Sequence, residues 1–163
     1  MRIGNLTNGT SCEWDMQAKL RTWLTEKDLK FIDEHRIPEA RRIPDFLVWH
    51  GGYGLINIEA KCNALECLCR QLDDNSVFCD YSFAYIPDYT MTPVWFKKKL
   101  VDSGYGLMIY NYRQEIITEV LEAHKNKNID KELRKTVLAR IDRELILRKK
   151  KNLIDTQQTL KEF

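Results

Sequence analysis

A chain of 163 residues that is 44% hydrophobic and 31% charged has the material for one domain with an ordinary core, and this composition fits neither a disordered polymer nor a membrane protein. Its longest apolar runs are far short of a membrane span, and the start Met1-Arg2-Ile3-Gly4-Asn5-Leu6 lacks the apolar block of a secretory signal, so the expectation is a cytoplasmic protein. The formal charge of +2 is unevenly spread: residues 1–112 hold 13 basic and 15 acidic groups and residues 113–163 hold 13 and 9, which leaves a tail at +4 that is compatible with nucleic acid.

In chain order, Ser11 can cap a helix beginning near Cys12, with Glu13 and Asp15 in the first turn, where carboxylates suit the helix dipole. Leu20, Trp23 and Leu24 give this helix an apolar face, and it is expected to end before Lys30. The stretch LKFIDEHRI can form a strand; Pro38 interrupts it, and Pro44 keeps the chain extended before Asp45. DFLVWH and GLINIEAK, separated by GGYG, read as an antiparallel hairpin. From Asn63 to about Leu72 the pattern is helical, CDYSFAYIP returns to strand, DYTMTPVWFKKKLVDSG holds a short helix or an irregular loop, and YGLMIYNY is a further strand. After Gly106 there is neither glycine nor proline, and residues 113–123 and 130–151 are expected to be helices. Leu133, Val137, Ile141 and Leu145 form an apolar stripe that needs cover from the domain or from a second chain. The fold class is thus α/β, with residues 1–112 as an α/β core and 113–163 as a basic amphipathic helical extension packed on that core or on a partner.

Five cysteines, at 12, 62, 67, 69 and 79, form an odd set without a staple-like arrangement, and free thiols in a reducing compartment are expected. A zinc site built on Cys67, Cys69 and Cys79 lacks a tight second pair and a fourth ligand.

Three polar residues in the hairpin stand out. Glu59 and Lys61 are two apart on a strand and leave the same face, while hairpin pairing can bring Asp45 beside Glu59. Two carboxylates at one strand edge repel unless a proton or a cation intervenes. Mg²⁺, with Mn²⁺ as a plausible substitute, resolves that conflict because it takes few protein carboxylates and retains waters; the Ala60 carbonyl can supply another oxygen. Phosphodiester hydrolysis also gives Lys61 a role, in orienting the attacking water or neutralising charge on phosphoryl oxygens. The residues alone equally allow a solvated strand edge with no chemistry.

Pro44-Asp45 followed by Glu59-Ala60-Lys61 resembles the PD-(D/E)xK nuclease superfamily, and the order helix, strand, PD strand, ExK strand, helix, strand is similar to its core. A partial likeness extends to archaeal Holliday-junction resolvases, which have a glutamate in the first helix at about the spacing of Glu13 from Asp45. Another is to a bacterial DNA-repair nuclease family, through Cys79-Asp80 with the aromatic strand Tyr81–Tyr85 and through Gly106-Leu107-Met108-Ile109. The resemblance covers roughly residues 12–110 and implies a restriction-endonuclease-like mixed central sheet flanked by helices.

It implies further that Asp45, Glu59 and Glu13 are metal ligands with the Ala60 carbonyl, that Lys61 serves the attacking water, and that Glu34 is a competing accessory carboxylate. Gln71 is then placed to face phosphate or water. Arg41 and Arg42, and less distinctively Lys97, Lys98 and Lys99, are candidate phosphate contacts, although a three-lysine run is as often a solvated helix face. The expected function is a metal-dependent DNA endonuclease of repair, recombination or defence, with DNA as partner and a homodimer through the C-terminal helices as an option. The alternatives are an inactive nuclease fold that binds nucleic acid or assembles a complex, and an RNA-cleaving nuclease.

Overall fold

The computed structural model describes residues 9–33 and 42–161, with side chains for 12–33 and 42–152. In chain order the elements are α1 (Gly9–Glu26), β1 (Lys30–Asp33), β2 (Phe46–His50), β3 (Gly54–Ala60), α2 (Leu65–Ser76), β4 (Tyr81–Pro87), α3 (Val94–Ser103), β5 (Gly106–Asn111), β6 (Ile116–Leu121) and α4 (Lys131–Lys161). The strands form one mixed sheet in the order β1-β2-β3-β4-β5-β6. β2 and β3 are the expected antiparallel hairpin, whereas β3, β4 and β5 run parallel through the α2 and α3 crossovers. The expected fold class, a mixed central sheet flanked by helices with a C-terminal helix, is the one observed.

Side chains of residues that pair across strands leave the same side of a sheet, so the pairings divide the core. On one side Phe46, Val48, Ile58, Ala60, Tyr85, Met108 and Tyr110 pack under Met16, Leu20 and Leu24 of α1. On the other, Ala84, Ile86 and Leu107 meet α2 and α3 through Leu68, Leu72, Phe96 and Leu100. Beside them, Ile32, Leu47 and Leu55 meet Val137 and Ile141 of α4.

The apolar stripe of the tail is therefore covered by the chain's own sheet as far as Leu145, which packs against the same cluster. A homodimer is not needed to cover that part; among the described residues of α4, Ile146 and Leu147 are exposed.

Several local expectations are corrected. Residues 113–123, expected to be helical, form a turn and then β6, which pairs antiparallel with β5, so the sheet continues past residue 112. The segment IITEVL is mostly β-branched, and the open edge of β5 offers it a ladder that outweighs the helical spacing of Ile117 and Leu121. Helix α1 begins at Gly9, so Ser11 lies inside it rather than at its cap. Cys12 and Cys62 are joined in a disulfide, leaving Cys67, Cys69 and Cys79 as thiols.

Two features lock the end of the sheet where β3 starts. Asp80, almost fully buried, accepts the N–H of Leu55 at 2.8 Å and forms a two-point ion pair with Arg134 of α4, at 2.7 and 2.6 Å. Gly54, at φ +89°, permits the close approach, since an added Cβ would overlap the Asp80 carboxylate. Asp130 caps α4 by accepting the N–H of Leu133 at 2.9 Å.

Candidate active site

The opposite end of the sheet carries the polar centre. Phe46 pairs with Ile58, which sets Asp45 across from Glu59 one step outward. Asp45 and Ala60 lock the two strand ends: Asp45 Oδ2 accepts the N–H of Ala60 at 2.8 Å, and the Asp45 N–H approaches Glu59 Oε2 at 3.4 Å. The Lys61 N–H donates to the Tyr85 carbonyl at 3.0 Å, which holds this end of β3 against β4. Three residues later Ala64, in left-handed backbone at φ 56°, turns the chain into α2, a conformation that costs a residue with a Cβ about 1–2 kcal/mol.

Glu59 has no exposed surface. Its Oε1 accepts a hydrogen bond from Asn75 Nδ2 of α2 at 2.7 Å. Burial, and after it the negative charge of Asp45, push the Glu59 carboxyl from its ordinary 4.5 up to about 8, against the pull of Asn75 and of the Asp45 N–H.

Lys61 Nζ donates to Glu13 Oε2 at 3.1 Å, with both side chains about a fifth exposed, at 19% and 21%. Burial pulls the Lys61 ammonium down, but the hydrogen bond and charge of Glu13, with Asp45 beyond, outweigh it and hold the group above its ordinary 10.5. Next to both residues, the Cys12–Cys62 bridge ties the first turns of α1 to the chain leaving β3.

Glu13, Asp45, Glu59, Ala60 and Lys61 thus lie at one strand edge, Ala60 entering through its backbone. Glu13 appears there as the partner of Lys61. Gln71, one helical turn before Asn75 on α2, buries its Oε1 without a partner among the described residues. Arg42 is turned to Asp74 of α2, to which its Nε donates at 2.6 Å. Lys98 and Lys99 pair with Asp102 and Asp73, while Lys97 is exposed. Glu34 and Arg41 lie outside the described residues.

Two amides escaped the sequence reading. Asn57 and Asn75 are both fully buried; the Asn57 amide lies close enough to Glu59 to help hold its charged form, and the Asn75 Oδ1 has no hydrogen-bond partner among the described residues. A signal existed for the first: an asparagine two residues before Glu59, on the same side of a strand otherwise built from Leu55, Ile56 and Ile58.

Among the described residues no cluster of three or more His, Cys, Asp or Glu side chains stands in metal-binding geometry. What is present suits a hard divalent ion that keeps much of its water shell: a carboxylate pair in mutual repulsion, with buried amide oxygens of Gln71 and Asn75 left without donors. A separate cavity of about 980 Å³ opens on the α1 side of the sheet among Trp23, Val48, Phe83 and His124, and none of the candidate residues lines it.

No protein-family model and no curated protein matches the chain. Among solved structures it is similar to the SPO1766 protein of unknown function from Silicibacter pomeroyi, with a TM-score of 0.59 and 16% identity over 88% of this chain and 90% of that one. It is also similar to Pyrococcus furiosus SfsA in complex with Ca²⁺, with a TM-score of 0.43 and 14% identity over 68% of this chain and 64% of that one. The likeness to the Silicibacter protein, which runs nearly end to end in both chains, shows a shared fold.

Proposed function

We propose that this protein is a metal-dependent DNA endonuclease with a PD-(D/E)xK centre. The observation that carries the reading is Asp45 set against Glu59 at the ends of β2 and β3, with Lys61, paired to Glu13, one residue beyond β3 and within reach of the Asp45 charge. Asp45 and Glu59 would hold Mg²⁺ or Mn²⁺, which supplies, when bound, a Lewis acid for the phosphate and a water of lowered pKa. Asn75 fixes one Glu59 oxygen and leaves the other toward Asp45. Ala60 fixes one Asp45 oxygen in the same way. Lys61, kept charged by Glu13, places a positive group where charge grows on the phosphoryl oxygens and can orient the attacking water. Attack in line with the leaving 3′ oxygen breaks the P–O bond.

A cleavage panel tests this: single-stranded, duplex, flap and four-way DNA, with matched RNA, in Mg²⁺, Mn²⁺ or chelator. Native protein should cut DNA only with metal, and Asp45→Ala and Lys61→Ala should each abolish cutting while unfolding at native-like temperatures. Metal-independent cutting, or variants that cut at native rates, would reject the assignment; preference for RNA would move the substrate class, and binding without turnover would favour a non-catalytic nucleic-acid binder.

A further inference from the structure

Helix α4 runs the length of the sheet and continues past the edge that carries the candidate active site. Its first turn is fixed at the opposite end, where Arg134 pairs with Asp80 and Asp80 accepts the Leu55 N–H near the start of β3. Further along, Arg148 Nη2 reaches Asp33 Oδ1 at 3.2 Å. Asp33 pairs with Phe46, the residue after Asp45, so Arg148 stands at the active-site edge. The distances agree: from 134 to 148 a helix rises about 21 Å at about 1.5 Å per residue, and β3 from Gly54 to Ala60 spans about 20 Å at about 3.3 Å per residue.

Beyond that point the residues whose side chains are described, 149–152, are all exposed. Arg148 is engaged by Asp33 and Glu144, but Lys149, Lys150 and Lys151 follow it exposed, and the helix backbone continues to Lys161. Successive helix positions are about 100° apart, so three adjacent lysines fan their ammonium groups around the helix instead of forming one stripe. That arrangement reads no base edges; it matches the diffuse negative charge of a sugar-phosphate backbone.

We propose that Lys149, Lys150 and Lys151 form a phosphate-backbone contact that holds duplex DNA flanking the candidate active site. The choice of DNA as partner rests on the nuclease reading; the position and charge of the helix do not.

The test is duplex binding by fluorescence anisotropy in chelator, across a salt series, with the full chain. Native protein is compared with K149Q/K150Q/K151Q and with K27Q/K125Q/K127Q. The second triplet removes the same charge from exposed positions away from this edge: Lys27 lies over the Trp23 ring near the end of α1, and Lys125 and Lys127 flank Asn126, which bonds Asp80. Because all six lysines are exposed, both variants should melt like the native chain. The α4 triplet should weaken binding about tenfold or more and flatten the dependence of log K on log salt by about 2 to 3, since each lost B-DNA phosphate contact removes about 0.9. The control triplet should leave both nearly unchanged.

An α4 triplet that binds with native affinity and slope, equal loss in both triplets, or native protein that does not bind duplex would overturn the proposal. Failure of the nuclease reading looks different: DNA is bound but not cut by the native protein in Mg²⁺, and the selective loss in the α4 triplet then still establishes the surface.

Discussion

Glu59→Gln should change the pH dependence of stability in the metal-free protein more than any other single substitution at the site. Glu59 is fully buried and lies against Asp45, and together these raise its carboxyl from 4.5 to about 8. Between those values the folded chain keeps a proton that the unfolded chain has released, so stability is full below pH 4.5 and declines as pH rises, levelling off above about 8. At about 1.4 kcal/mol per pH unit the whole span amounts to about 5 kcal/mol, and the part between pH 5 and 7 to about 3 kcal/mol. Glutamine has nearly the same shape, can still accept from Asn75 and does not titrate. Urea unfolding of both proteins in chelator at pH 5, 6, 7 and 8 isolates the effect to the Glu59–Asp45 pair, because titrating groups away from that pair contribute to both proteins and cancel in the difference. The stability of the variant relative to native should rise by about 3 kcal/mol from pH 5 to 7. A difference independent of pH would show that Glu59 is ionised in the fold, and the argument from burial and repulsion would be wrong.

Arg134→Ala strips the buried Asp80 carboxylate of its two-point partner and should cost about 3–5 kcal/mol in the same unfolding assay, whereas a loss below about 1 kcal/mol would mean that Asp80 is solvated. The Cys12–Cys62 bridge has a sequence separation of 50, and reducing it should lower stability by about 4 kcal/mol; alkylation of the denatured, unreduced chain should label Cys67, Cys69 and Cys79 alone, and labelling of all five would refute the bridge. Lys61 loses charge stabilisation through burial and regains it from Glu13, so Glu13→Gln should move the Lys61 titration downward in a carbon-13 NMR experiment; an unmoved curve would contradict the pair.

The centre was legible because it depends on local rules. Hairpin pairing fixes Asp45 opposite Glu59, which follows from a strand-turn-strand stretch in which the glycine-rich tip leaves little choice of register; strand alternation does not reach Lys61, because β3 ends at Ala60 and the lysine, one residue beyond it, is placed by Glu13 of α1. What the sequence hid depends on contacts between distant segments. Asn75 is an unremarkable helix residue until α2 settles over β3 and sets it on Glu59. Cys12 and Cys62 pair only once α1 crosses the sheet. The Cys79-Asp80 pair places Asp80 in an anchor for α4 at the end of the sheet away from the carboxylates. β6 forms where a helix is expected because QEIITEVLEAH offers both helical spacing and β-branched residues, and only the unpaired edge of β5 decides between them.

Calorimetric titration of Mg²⁺ into metal-stripped native protein at pH 7, repeated in two buffers of different ionisation enthalpy, bears most directly on the claim that Asp45 and Glu59 share one divalent ion. Because Glu59 keeps its proton up to about 8, an ion taken up by the pair must displace it. The account predicts one Mg²⁺ per chain with close to one proton released, binding lost in Asp45→Asn, and no proton released by Glu59→Gln. Binding without proton release, or binding that survives Asp45→Asn unchanged, would contradict it.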